Sequence, residues 1–209
     1  MNTFDKEIAK KYNSRFSKLG AVPEASLWFS EERQILRFKL ISDILEKSKR
    51  GTTLSLNDIG CGYGAFVPYI FQRFPNTNIL YNGYDIASNP LDYCKKAYKQ
   101  ESVCFKLGKV PDRLCDFSIM SGTYNYAPIF SSKAWHRYLF ENLIQIWKYS
   151  RFGMIFNISV SQNARITAQN ISYFNKDYVK HFCESHLGRT SLLSSEKLPK
   201  EVTISVAKT

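Results

Sequence analysis

The sequence has no run approaching the ~20 uncharged apolar residues that a membrane-spanning helix needs, which excludes a helical span. The segment Met1 to Lys11 is polar and charged and lacks the apolar core of a secretory signal, so a cytoplasmic chain is expected. Cysteine is sparse. Cys61, Cys94, Cys104, Cys115 and Cys183 are odd in number and include no Cys-x-x-Cys pair, which argues against a disulfide framework and against a zinc site. They read as reduced structural thiols, and no metal is expected. No repeat, low-complexity tract or linker divides the 209 residues, so one domain over 1–209 is predicted. Acidic residues are the scarce charge: 18 Asp and Glu stand against 29 Lys and Arg, a formal net charge of +11. The longest basic groupings are Lys10-Lys11, Lys47-Lys49-Arg50 and Lys95-Lys96-Lys99, and none alternates with aromatics as a base-stacking surface would. Solvated lysine-rich faces are the simpler reading. The net charge still leaves open a nucleic-acid partner or an acidic small molecule.

What is present is a regular alternation. Phe4, Ile8, Tyr12 and Phe16 keep helical spacing over about Thr3 to Leu19. Ser30, followed by Glu31 and Glu32, caps a second helix reaching Lys49, with Gly51 beyond it. These first 50 residues are predicted to form a helical cap or lid over a core of 51–209. Strands are then expected at Leu54 to Ile59, Ile79 to Ile86, Val103 to Leu107, Phe117 to Ser121 and Phe152 to Val160. Helices are expected between them, at Ala65 to Phe74, Pro90 to Gln100 and Ser132 to Tyr149. A last helix, Lys176 to His186, precedes strands near Ser191 to Ser194 and Val202 to Ala207. Strand and helix taking turns implies a parallel sheet covered on both faces. The last two strands are joined by too few residues for a crossover helix, so they should form an antiparallel pair at one edge.

The stretch Asp58-Ile59-Gly60-Cys61-Gly62-Tyr63-Gly64-Ala65 leaves a strand and enters a helix. Glycines there allow a sharp turn and close approach of a ligand to the backbone, beside a helix N-terminus with unpaired N–H groups. Asp85 ends the next strand, about twenty residues on, where a carboxylate can accept hydrogen bonds from two ribose hydroxyls. Together the turn and Asp85 describe a nucleoside site.

These residues resemble the class I S-adenosylmethionine-dependent methyltransferases. That family's acid-x-Gly-x-Gly-x-Gly motif is met at Asp58, Gly60, Gly62 and Gly64, and its second-strand acid at Asp85. Its closing antiparallel strands match Ser191 to Lys208. The resemblance implies a Rossmann-like α/β fold, a seven-stranded, mostly parallel sheet with an antiparallel C-terminal strand and helices on both faces. It implies S-adenosylmethionine as cofactor, contacted by Asp58, Gly60, Cys61, Gly62, Asp85, Ile86, Lys109 and Ser121. Lys109, after Gly108, stands where the family carries its adenine-contacting acid. The leader, with Tyr12-Asn13, Arg15-Phe16, Trp28, Gln34 and Arg37-Phe38, resembles uncharacterised methyltransferases found with surface-polysaccharide genes, as does Ser121-Gly122-Thr123-Tyr124-Asn125.

Gly60-x-Gly62-x-x-Ala65 also satisfies a dinucleotide fingerprint, so an NAD-dependent oxidoreductase is the rival enzyme. A non-catalytic cofactor-binding protein is a further alternative. The antiparallel finish and the acid at Asp58 favour methyl transfer. After the fourth strand there is neither the Pro-Pro signature of amino-group methylation nor a cysteine nucleophile. Tyr124 and Asn125 are therefore the candidates for orienting an acceptor, with Tyr126 beside them. His136, His181 and His186 show no partner in sequence and read as surface or capping residues. Tyr12, Phe16, Trp28 and Phe29 are candidate lid aromatics, with Arg15, Arg33 and Arg37 placed to meet a carboxylate. The acceptor expected is a small molecule, a sugar or nucleotide sugar, with RNA as the alternative.

Overall fold

A computed structural model describes residues 2–28 and 30–208. Helix α1 (Thr3–Leu19) is capped by Asn2: the Asp5 N–H donates to Asn2 Oδ1 at 2.9 Å and the Asn2 N–H to Asp5 Oδ2 at 3.0 Å. A 3-10 turn (Pro23–Ser26) leads to α2 (Glu31–Ser48), where Ser30 Oγ accepts from the Arg33 N–H. The core then alternates as β1 (Thr53–Ile59), α3 (Phe66–Arg73), β2 (Asn78–Asp85), α4 (Ser88–Ala97) and β3 (Val103–Leu107). It continues through β4 (Cys115–Met120), α5 (Ser132–Trp147) and β5 (Ser150–Ser159). A two-residue hairpin, β6 (Arg165–Ile166) and β7 (Ser172–Tyr173), precedes α6 (Lys176–His186), β8 (Arg189–Leu193) and β9 (Glu201–Ala207).

The main sheet has seven strands in the order β3-β2-β1-β4-β5-β9-β8. The first five pair in parallel, while β9 is antiparallel to both β5 and β8. The predicted closing pair exists, but its two strands do not simply extend the edge. The chain lays down β8 as the edge strand and returns through β9 in the gap beside β5, so β9 alone runs against the rest. Sequence spacing fixes that the two strands pair and says nothing about which lies inward.

Side chains alternate across the sheet with the period of two that strands impose. Leu54, Leu56, Phe117, Ile119 and Ile155 pack beneath α2, α3 and α4. Met154, Phe156, Ile158, Val202, Ile204 and Val206 pack beneath α5 and α6. Helix α1 crosses the carboxyl ends of the strands. At its start Phe4 meets Trp135 and Tyr138 of α5 with centroids 6.1 and 5.7 Å apart. At its far end Phe16 meets Tyr93 of α4 at 5.8 Å, and Asn13 and Ser17 bond Asn89. The β6–β7 hairpin is the one paired element absent from the sequence reading, because two-residue strands carry no measurable periodicity. It lies over the ends of β4 and β5, bridged to Tyr126 through Ile171 and to Val160 through Phe174. No helix among the described residues is long and apolar enough to cross a membrane.

Candidate active site

At the carboxyl end of β1 the chain turns on Gly60. Its N–H and that of Cys61 both donate to the Tyr84 carbonyl, at 2.7 and 3.1 Å, which draws the turn against β2. Gly60 has φ +76°, and a Cβ there would stand 2.7 Å from Thr123 Cγ2 and Oγ1. Glycine is therefore required twice, by conformation and by the close approach of the loop after β4. Thr123 is held in that place because its hydroxyl donates to the Ile59 carbonyl at 2.7 Å.

Asp85, at the end of β2, accepts from the Gly62 N–H at 2.8 Å and from the Ala87 N–H at 2.8 Å, one amide on each oxygen. Burial pushes its carboxyl up, and these amides oppose the shift. Each oxygen keeps a second lone pair, so the fixed carboxylate can still receive two hydroxyls. Asp58 is buried, and the Tyr81 hydroxyl donates to its Oδ2. Burial raises its carboxyl to about 7, against the pull of that bond, and the neighbouring Asp85 raises it further.

These groups open on one cavity of about 920 Å³, counted with its mouth. Asp58, Gly60, Cys61, Gly62, Asp85, Ile86, Lys109 and Ser121 all line it, and so does Tyr124. Ser121 Oγ is buried and has no hydrogen-bond partner among the described residues. A hydroxyl in that condition, beside a glycine cradle and a fixed carboxylate, suits a polar nucleoside ligand such as S-adenosylmethionine.

The side chain of Lys109 is committed elsewhere. Its ammonium bonds Asp5 at 2.9 Å and lies 4.6 Å from the centroid of the Tyr138 ring. Asp5 is buried and also accepts from the Tyr138 hydroxyl at 2.7 Å. Burial pushes Asp5 up, but the bonds from Lys109, Tyr138 and the capping amide outweigh it and hold the carboxyl below its usual range. Asn125 does not line this cavity. Its Oδ1 accepts from the Ser159 N–H at 2.9 Å, and it faces a neighbouring cavity with Tyr126.

The N-terminal segment supplies walls that motif reasoning placed only loosely. Ile8 and Tyr12 of α1, Ser26 and Trp28 of the turn, and Gln34 and Phe38 of α2 line the cofactor-sized cavity. Phe16 packs on Tyr93 instead, and Phe29 lies outside the described residues. Of the three arginines expected to meet a carboxylate, Arg37 and Arg33 meet Glu201 of β9, while Arg15 donates to the Glu24 carbonyl. Arg37 also stacks over Trp28 at 4.0 Å. Tyr138 and Asn142 of α5 line the cavity too. In sequence they sit four apart within an ordinary amphipathic stripe and carry no sign of it. His136 is stacked on Phe174 at 5.1 Å, away from the cavity, and burial pushes its pKa down.

No family model matches the chain. Over 156 residues, 74% of its length and 93% of the relative's, it is 26% identical to the Mycobacterium tuberculosis protein named "Putative methyltransferase Rv1506c". Among solved structures it resembles magnesium protoporphyrin IX methyltransferase of Synechocystis with bound S-adenosylhomocysteine. The TM-score is 0.68 at 10% identity, covering 98% of this chain and 99% of that one. An S-adenosylmethionine-dependent methyltransferase of Leishmania major gives a TM-score of 0.69 at 11% identity, covering 96% and 82%. The chain has the fold of these S-adenosylmethionine-dependent methyltransferases. The sheet, with β9 reversed between β5 and β8, differs from the plain dinucleotide-binding pattern and so counts against the oxidoreductase alternative that Gly60-x-Gly62-x-x-Ala65 raised.

Proposed function

We propose that this protein is an S-adenosylmethionine-dependent methyltransferase acting on a small-molecule acceptor, a sugar or nucleotide sugar. When bound, S-adenosylmethionine would supply an electrophilic methyl group and be left as S-adenosylhomocysteine. Asp85 would hold the ribose hydroxyls on its two amide-fixed oxygens. Gly60, Cys61 and Gly62 would cradle the amino-acid half, with the Asp58 carboxyl available to its ammonium. Ile86 and Lys109 would line the adenine end, and the buried Ser121 hydroxyl would gain a partner.

The walls of the site would hold the acceptor hydroxyl in line with that methyl group, and the hydroxyl proton would pass to water. Holding that line and excluding solvent accounts for most of the acceleration. Tyr124 lines the cofactor-sized cavity and not the neighbouring one that Asn125 faces. Burial and the charge of Asp5 push its hydroxyl pKa up, so it acts as a hydrogen-bond donor and not as a base. Asn125, its Oδ1 anchored on the Ser159 N–H and its side chain lining the neighbouring cavity, would offer its amide NH₂ to an acceptor there.

The observation that supports this reading best is the pair of bonds from the Gly62 and Ala87 N–H groups to Asp85, at the mouth of a cavity shared with the unpartnered Ser121 hydroxyl. Calorimetric titration with S-adenosylmethionine, S-adenosylhomocysteine and NADH tests it. Micromolar binding of both sulfur compounds, lost in Asp85→Ala, is expected. Binding of NADH alone would return the chain to the oxidoreductases.

A further inference from the structure

A second cavity, about 930 Å³ with its mouth, adjoins the first and shares Tyr12, Ser26, Trp28 and Gly122 with it. Gly122 has φ +75°, and a Cβ there would come within 3.1 Å of the Trp28 ring, so these two residues pack directly against each other in a partition common to both spaces. The remaining walls come from α2, from the loop after β4, from the β6–β7 hairpin and from the start of β9.

The charges on these walls do not balance. Arg33, Arg37 and Lys200 face one carboxylate, Glu201. Arg37 grips both oxygens of Glu201 through Nε and Nη2, and Arg33 Nη2 reaches Oε1 at 3.0 Å. The single acid is thereby occupied. It serves to hold two guanidinium groups in place, and Trp28 supports Arg37 from the other side. Lys200 is exposed and makes no ion pair among the described residues. The lining thus carries three cationic side chains and one acidic one, and partial exclusion of water in the recess strengthens the attraction of that basic lining for an anion. Tyr126 and Tyr173 stand on the same walls and offer aromatic faces to a ring.

We infer that this second cavity is the acceptor site and that the acceptor carries a phosphate or similarly anionic group, held by Lys200 and the Arg33–Arg37–Glu201 cluster, with its reacting hydroxyl directed toward the first cavity, past the residues the two share. The inference rests on the methyltransferase reading only in naming the ligand an acceptor. The anion site itself stands on the charges and the recess.

The test uses the full chain saturated with S-adenosylhomocysteine and titrated with UDP-glucose, inorganic pyrophosphate and methyl glucoside. UDP-glucose should bind most tightly, pyrophosphate less so, and the neutral glucoside not detectably. Lys200→Gln and Arg33→Gln should each weaken both anions by about tenfold, the worth of one charge-assisted hydrogen bond. They should leave S-adenosylhomocysteine binding unchanged. Lys133→Gln, the same charge change on the exposed face of α5, should alter neither. The proposal is overturned if neither anion binds, if the glucoside binds as well as UDP-glucose, or if Lys133→Gln weakens the anions as much as Lys200→Gln does. If S-adenosylhomocysteine fails to bind while the anions bind and respond to Lys200→Gln, the anion site stands and the methyltransferase reading falls.

Discussion

Gly60 concentrates two constraints on one atom. An alanine there would need a left-handed backbone and would drive its methyl against Thr123, whose hydroxyl is tied to the Ile59 carbonyl. Gly60→Ala is expected to lose about 1–3 kcal/mol of stability in urea unfolding and to weaken S-adenosylhomocysteine binding. Adding Thr123→Ala should recover only part, because the backbone strain remains. Asp58 gives a second residue-scale expectation. Its carboxyl, raised to about 7 by burial, binds a proton more tightly in the folded chain than in the unfolded one. Its contribution to stability is therefore fully present below the unfolded carboxyl pKa of about 4 and is lost as pH rises through about 7. Stability without cofactor should fall between about pH 4 and 7, and Asp58→Asn should flatten that fall. Asp85 is shifted in the same direction, so a residual slope should persist. Binding of S-adenosylhomocysteine should show the opposite trend, strengthening over the same range as Asp58 ionises. Calorimetry at several pH values checks this.

Among the elements, the join between α2 and β9 carries the sharpest electrostatic consequence. Arg37 and Glu201 are both buried, with side chains 8% and 6% exposed. Burial pushes the Arg37 pKa down and its bonds to Glu201 oppose that shift, so the pair is stable only as a pair. Glu201→Gln should cost about 3–5 kcal/mol in urea unfolding by leaving the guanidinium without its counter-charge. Replacing both, as Arg37→Met with Glu201→Leu, should cost less than Glu201→Gln alone. The helices and main strands were legible in sequence because each is long enough to show its own period, and some helices also carry a side-chain cap, as α1 with Asn2 and α6 with Asn175 do. The hairpin of β6 and β7 has two residues per strand and no such signal. The committed ammonium of Lys109 was equally hidden, since its partner Asp5 lies 104 residues earlier.

Across the whole molecule, α1 spans the carboxyl ends of the sheet from α5 to α4, above the glycine turn and Asp85. If it covers bound cofactor, S-adenosylhomocysteine should slow amide hydrogen exchange along α1 and the 3-10 turn as well as in the glycine loop. Slowing confined to residues 58–66 would count against a covering role. What the sequence by itself determined is what acts over short distances along the chain. That includes the alternation of strand and helix, the glycine turn between β1 and α3, and an acid at the end of the neighbouring strand. Parallel register then had to bring these to one edge, because β1 and β2 are joined by a single crossover. Only the tertiary structure decided which residues wall the cavities, where β9 enters the sheet, and that Arg37 faces Glu201 and not a ligand. Those contacts join positions 133 and 164 residues apart, as at Asp5–Tyr138 and Arg37–Glu201. No local period or motif spacing encodes such pairs, since they arise from how separate elements pack.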